Sequence, residues 1–377
     1  MKTIISLSFI VILASNCQHR PGKSNDSWIL DGFVKVDSIN PILNPSPALS
    51  FTCPILNRPV NWEERNVLNP TAIVKDEKVY LLYRAQDQDG TSRIGMAISS
   101  DGLHFEKKPE PVFYPDNDAM KGYEWNYQKG ADFENTERCY SCYFDGVEDP
   151  RIVESADGLY IMTYTAYDGK IARLSLASSR DLISWTKHGL VLRGEKYSET
   201  WSKAGAIVSQ LVDDKLVAAK IQGKYWMYFG DTDLFMATSD DLIHWDVVEN
   251  VESGARISVL HPRMGYFDSR LVEPGPAALL TGAGILLIYN GSNAAHFNDP
   301  TLPRFTYAAG QALFDKENPF KLVDRSSTHF IHPDKDYERV GEVNEVCFVE
   351  GLVLFRGQWH LYYGTADSKI AVAWRPQ

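Results

Sequence analysis

Hydrophobic and polar positions repeat along this chain as pairs of short strands. Val79-Tyr80-Leu81-Leu82-Tyr83-Arg84 is an aromatic-rich run, and after a turn Ile94-Gly95-Met96-Ala97-Ile98-Ser99 adds a run of small and apolar residues. The pairing returns at 159–164 with 174–182, 225–230 with 234–242, 285–290 with 307–314, and 359–364 with 370–374. In the first three pairs a Ser-x-Asp turn precedes an aromatic: Phe105, Trp185 and Trp245. Such a turn closes a hairpin and leaves the ring to pack between neighbouring sheets. Small antiparallel sheets recurring every roughly 50–80 residues predict a β-propeller. The expected fold is therefore all-β, a single five-bladed propeller over 51–377 with a lead-in at 18–50. No long helical period interrupts it.

The N-terminus reads as a targeting segment. Lys2 precedes an apolar run at 4–14, too short to span a bilayer but suited to a signal peptide. Ala14-Ser15-Asn16-Cys17 resembles a lipobox, although Asn16 departs from the usual small residue. The expectation is a signal peptide at 1–17 and export to the periplasm or outer-membrane surface. Cys17 would carry a lipid anchor; plain secretion stays open.

Net charge is −11 and the basic residues are dispersed, which argues against nucleic acid and against a polybasic membrane patch. The 9 Trp, 19 Tyr and 17 Phe suit stacking on sugar rings, and suit a β-rich core equally well. Cys139-Tyr140-Ser141-Cys142 has CxxC spacing, but no second pair or His pair completes a zinc site. A local disulfide or free thiols are expected there. No cofactor or metal motif is found.

Candidate chemistry centres on Gly146-Val147-Glu148-Asp149-Pro150-Arg151-Ile152. Pro150 is expected to hold Asp149 extended, and strand alternation would turn Arg151 to the same face. A surface ion pair at a strand edge would look similar. What separates the two readings is registration with the repeat. Asn69-Pro70, Lys203, Glu273-Pro274 and Glu345 stand at comparable places before the other pairs, one polar residue per repeat. Glycoside cleavage needs one carboxylic acid and one carboxylate, and Asp231 and Glu273 are candidates for the second role. Asp231 could equally cap a turn, Lys203 could sit in a salt bridge, and the Asp101-Gly102 turn explains Asp101 without a ligand.

Together with Tyr164-Thr165-Ala166-Tyr167, 97–102 and Tyr362-Tyr363-Gly364-Thr365-Ala366-Asp367, the Glu-Asp-Pro-Arg motif resembles glycoside hydrolase family 130. The resemblance runs from about Asn66 to the C-terminus. That family comprises β-mannoside phosphorylases and β-mannosidases on a five-bladed propeller. The resemblance implies that Asp149 is the general acid, acting through a mannose hydroxyl, with Arg151 orienting the site. It implies that Asp367 binds mannose hydroxyls, that Asn69, Arg84, Arg93 and Asp101 belong to sugar-binding motifs, and that Lys203 accompanies β-1,2 linkages.

The chain departs from the family's phosphorylases at two stretches. Where these hold phosphate with a His-Arg pair and a Tyr-His-Gly histidine, it reads Tyr228-Phe229-Gly230-Asp231 and Tyr289-Asn290-Gly291. An acid there repels phosphate, although Arg173 remains near. The expected activity is that of an inverting exo-β-mannosidase on mannose-containing oligosaccharides, with β-1,2 linkages favoured. Asp149 and its base would stand roughly 6.5–9.5 Å apart. The alternatives are a β-mannoside phosphorylase with an altered phosphate site and a non-catalytic glycan-binding propeller.

Overall fold

The computed structural model describes residues 28–129 and 144–375. The strands pair into antiparallel runs of four, in chain order. The first is Asn66–Lys75, Lys78–Gln86, Thr91–Ser99 and Glu106–Lys107. The second is Asp145–Glu154, Tyr160–Tyr167, Ala172–Ser179 and Thr186–Leu190. The third is Ala206–Val212, Lys224–Phe229, Phe235–Ser239 and Trp245–Val247. Leu271–Pro274, Ile285–Ser292, Tyr307–Phe314 and Leu322–Arg325 follow. The last joins Cys347–Phe355, Gln358–Thr365 and Lys369–Arg375 to Val34–Lys35. The architecture is all-β and propeller-like.

Packing explains why the aromatic-rich strands are apolar on both faces. Every residue of Tyr160–Tyr167 is buried. Met162 and Tyr164 pack with Leu82 and Met96 of the first run, whereas Ile161 turns the other way, towards Ile207 and Met227 of the third. The predicted ring packing is present: Phe105 meets Tyr362 of the last run edge-on at 5.7 Å. Each Ser-x-Asp turn is closed by its acid. Asp101, Asp181 and Asp241 each accept two backbone N–H groups at 2.7–2.9 Å.

Two expectations change. Within the lead-in expected at 18–50, the residues described from 28 onward reach the last sheet: Val34 pairs with Trp374, and the Asn40 amide exchanges two hydrogen bonds with the Val372 backbone. The N-terminal stretch thus completes the sheet formed by the C-terminus. Asp149 is not extended either: its φ is +51°, and Asn69 matches it at +48°. Both lie in β-bulges, where the register slips between Leu68 and Pro70 and between Glu148 and Arg151. A bulge leaves its extra residue unpaired and re-aims that side chain. Cys53 and Cys347 are buried free thiols. Cys17, Cys139 and Cys142, with the signal segment, lie outside the described residues.

Antiparallel pairing also fixes which loops meet. In each run, the start of the first strand and the connection from second to third strand lie at the same end. Asn69, Asp149 and Glu273 occupy first strands, and Asp231 and Asp367 occupy such connections.

Candidate active site

At that end Asp149 is almost wholly buried, and its Oδ1 accepts hydrogen bonds from Asn69 Nδ2 at 2.8 Å and from Arg84 at 3.3 Å. Arg84 also donates to Glu148 Oε1 at 2.6 Å and to Ser92 Oγ at 3.0 Å. One guanidinium therefore serves two adjacent carboxyls. Burial alone would raise Asp149, but Arg84, Lys203, Arg151 and the Asn69 amide outweigh it and hold the carboxyl below its usual range. Glu148 goes the other way, raised by burial and by Asp149 against the pull of Arg84. The pair is split, with Glu148 the more readily protonated partner.

Arg151 acts on the Asp149 carboxylate through its charge but makes no ion pair with it, because the bulge breaks the alternation on which that expectation rested. Its guanidinium reaches across to the fourth and last runs, donating to Pro274 O at 2.7 Å and Gly275 O at 2.8 Å. It also donates to Asp149 O at 3.2 Å. Arg151 thus ties the backbone that carries Asp149 to the backbone that carries Glu273. Glu350 faces it at 2.9 Å and Glu273 Oε1 lies 4.0 Å away.

Glu273 is buried and its Oε1 has no hydrogen-bond partner among the described residues. Burial, with Asp231 and Asp149 adding to it against Lys203 and Arg151, pushes it up to about 8. Lys203 is half-buried. Burial opposes its charge, but Glu273, Asp149, Asp231 and Glu148 outweigh burial and keep it protonated. Asp231 accepts hydrogen bonds from Trp201 Nε1 and Thr232 Oγ1, each at 3.1 Å. Asp367 is pushed up to about 6 by burial, with Arg84 opposing and Asp149 reinforcing the rise. Asn69, Arg84, Asp149, Arg151, Lys203, Asp231, Glu273 and Asp367 therefore form one electrostatic neighbourhood.

Gly364 explains the glycine of the Tyr-Tyr-Gly motif. A Cβ there would stand 2.7 Å from Asn69 Oδ1 and 3.0 Å from Asn69 N. The last run must leave this space for the residue that holds Asp149.

Two predicted site residues fall outside the cluster. Ser92 takes the inward face of its strand, so Arg93 points away, donates to Asp87 Oδ2 at 2.7 Å and lies over the Phe51 ring. Asp101 is spent on its turn, with both oxygens engaged by Ser99, Leu103 and His104. Arg173 is ion-paired to Asp168 and Glu199. Of the long stretch between the first and second runs, residues up to 129 are described. They fasten to the second run through Tyr164–Glu124, at 2.8 Å, and Lys129–Asp145, at 2.7 Å.

Glu350 joins the cluster in place of Glu345, the residue expected from the sequence as the polar position of the last repeat. Glu345 is only half-buried and lies in the connection before the strand. Glu350 is buried at the Val349/Gly351 bulge, and its carboxyl is driven well up by burial. The available signal was a single acid before glycine in the apolar run Cys347-Phe348-Val349-Glu350-Gly351-Leu352-Val353.

Residues 34–377 match the family model for glycoside hydrolase family 130, described as beta-1,4-mannooligosaccharide phosphorylase. A 1,2-beta-oligomannan phosphorylase of Thermoanaerobacter sp. strain X514 is 29% identical, over 83% of this chain and 90% of its own length. A solved glycosyl hydrolase of Bacteroides ovatus is 40% identical with a TM-score of 0.85, covering 92% of this chain and 94% of that one. Another solved structure is reported under the statement that the GH130 family of mannoside phosphorylases contains glycoside hydrolases that target beta-1,2 mannosidic linkages in Candida mannan. It is 41% identical with a TM-score of 0.86, covering 92% of this chain and 94% of that one.

Proposed function

The chain belongs to glycoside hydrolase family 130, and from that premise we propose that it cleaves β-mannosidic linkages by hydrolysis. In this reading the four-stranded runs are the blades of a five-bladed propeller. The protein is exported, with Cys17 as lipid anchor. The substrate is a β-1,2-linked mannooligosaccharide cut from its non-reducing end with inversion. Asp149 supplies the proton to the leaving oxygen through a mannose hydroxyl. A sugar that displaces water from Asp149 removes solvation from its anion and so favours the protonated form. Glu148, sharing Arg84, is the adjacent carboxyl and the more readily protonated of the two. Asp231 activates the water, since Glu273 keeps its own proton near neutral pH and acts as a hydrogen-bond donor. Asp367, Asn69 and Lys203 bind the mannose.

The observation that carries hydrolysis is Asp231, a carboxyl oriented by Trp201 where the family's phosphorylases present cations to phosphate. Asn290 is no substitute for the missing histidine: its amide donates to Val349 O at 3.0 Å and accepts from Val349 N at 2.7 Å. Phosphorolysis is the second reading. It has the names of the curated relatives on its side, and they fit it better than they fit hydrolysis. Incubating the protein with β-1,2-mannobiose, with and without orthophosphate, decides between the two. Hydrolysis releases mannose irrespective of phosphate, whereas mannose 1-phosphate as product refutes the proposal. A protein that binds the sugar and turns over nothing in either condition is the non-catalytic alternative.

A further inference from the structure

The connection from second to third strand carries Asp231 in the third run and Asp367 in the last. In the fourth run this connection is a long loop, 293–306. Asn293 is fully buried and organises it. Its amide donates to Asp299 O, Leu302 O and Pro303 O at 3.0–3.2 Å, and its Oδ1 accepts from Asp299 N at 2.9 Å. Its backbone also pairs with Thr306 O and Phe305 N, at 2.9 Å each. On this internally fastened loop two phenylalanines face solvent, Phe297 at 77% and Phe305 at 48% exposure. Both have positive φ, 54° and 67°. Exposed aromatics and left-handed backbone are each unfavourable for a bulky side chain, and both are held here by the loop.

The loop runs straight into the site. Tyr307, the next residue after it, is pushed up to about 12 by burial and by the charges of Glu273 and Asp367. Arg270, three residues before Glu273, lays its guanidinium over the Phe305 ring at 5.3 Å and has no ion-pair partner among the described residues. A ring with a stacked, uncommitted guanidinium offers an apolar face for pyranose C–H groups and donors for hydroxyls.

The geometry points to a leaving-group subsite: Phe305 with Arg270, and Phe297 beyond, bind the sugar residues of a mannooligosaccharide past the bond that is cut. This rests on the reading of the protein as a β-mannoside-cleaving enzyme. A rigid platform binds a flexible chain at little ordering cost, so it contributes most to longer substrates.

The test measures kcat/KM on β-1,2-mannobiose and β-1,2-mannotetraose for the full chain and for F305A, F297A and R270A. The ratio of tetraose to biose should fall roughly tenfold in F305A, the worth of one stacking contact. It should fall less in R270A. A ratio unchanged in F305A overturns the subsite. If F305A fails to fold, the exposed R270A and F297A decide, and unchanged ratios in both overturn it. If the wild-type chain turns over neither sugar with or without phosphate, the reading of the activity fails separately. Calorimetric binding of mannotetraose then tests the platform alone, and equal affinity of wild type and F297A would refute it.

Discussion

Asn69 and Asp149 occupy equivalent bulges in successive runs, each left-handed and each followed by proline, and Asn69 Nδ2 donates to Asp149 Oδ1 at 2.8 Å. The same local device is used twice, once for the acid and once for the residue that aims it. Pro70 and Pro150 stiffen both positions. The acid is set by two strained backbones that confirm each other, which costs stability and gives a fixed carboxylate.

Replacing Asn69 by Ala removes a hydrogen bond to a charged group, worth about 1.5–3 kcal/mol. If the amide serves Asp149 in the transition state, N69A should lose roughly 10–100-fold in kcat/KM. The melting temperature should fall modestly as well, because the lost hydrogen bond also holds the fold and Ala suits the φ of +48° less well than Asn. Steady-state kinetics beside a melting curve checks this, and a large drop in melting temperature with unaltered kinetics would assign Asn69 to the fold alone.

Asp149→Asn keeps the shape of the site and removes the titrating proton. Product release should fall by about 10²–10⁴ or more, the usual range for a positioned acid. Affinity for β-1,2-mannobiose, read by calorimetry, should stay within a few-fold of wild type. Asp231→Asn should show the same split between turnover and binding, and Glu273→Gln a smaller loss below neutral pH. Were Glu273→Gln the more damaging of the two, the base would be Glu273.

The repeat of strand pairs made the sheets legible in the sequence because turn chemistry and apolar runs are local properties. The Asp-closed turns at Asp101, Asp181 and Asp241 are read from a few residues each. What was not legible depends on contacts distant in the chain. Arg93 and Arg84 are similar as letters, yet Ser92 takes the inward face and sends Arg93 to Asp87. Asp149 and Arg151 were expected on one face, and a single unpaired residue in the bulge separates them. The role of Val34–Lys35 required knowing that the last sheet lacked an edge strand. Glu350 was passed over because its burial becomes visible only once Arg151 of the second run reaches it.

Asn290 gives a prediction about evolutionary exchange between the two chemistries. Its amide satisfies both the N–H and the C=O of Val349, next to the bulge that presents Glu350. Asn290→His, which restores the phosphorylase-type residue, leaves one or both of these buried groups unpaired at about 1–3 kcal/mol each. The variant should melt at a lower temperature and should not acquire mannose 1-phosphate formation while Asp231 remains. Chromatography of products at high phosphate checks it, and phosphorolysis gained from this one change would show that Asp231 is no barrier to phosphate.

The pushed-up carboxyl of Glu273 ties function to stability with a definite sign. Its ordinary value of 4.5 applies to the unfolded chain, and the folded value is about 8. Between these two pH values the folded state holds a proton that the unfolded state has lost, so stability falls as pH rises through that window. Below about 4.5 both states are protonated and Glu273 contributes its full favourable share; above about 8 the buried carboxylate is a net liability. Glu273→Gln cannot ionise and escapes this loss. Its melting temperature should therefore exceed that of wild type by several degrees at pH 8.5, and the difference should vanish at pH 4.5. Melting curves of the two proteins across this range provide the measurement. Parallel curves at every pH would mean that Glu273 titrates near its ordinary value, leaving it available to activate water.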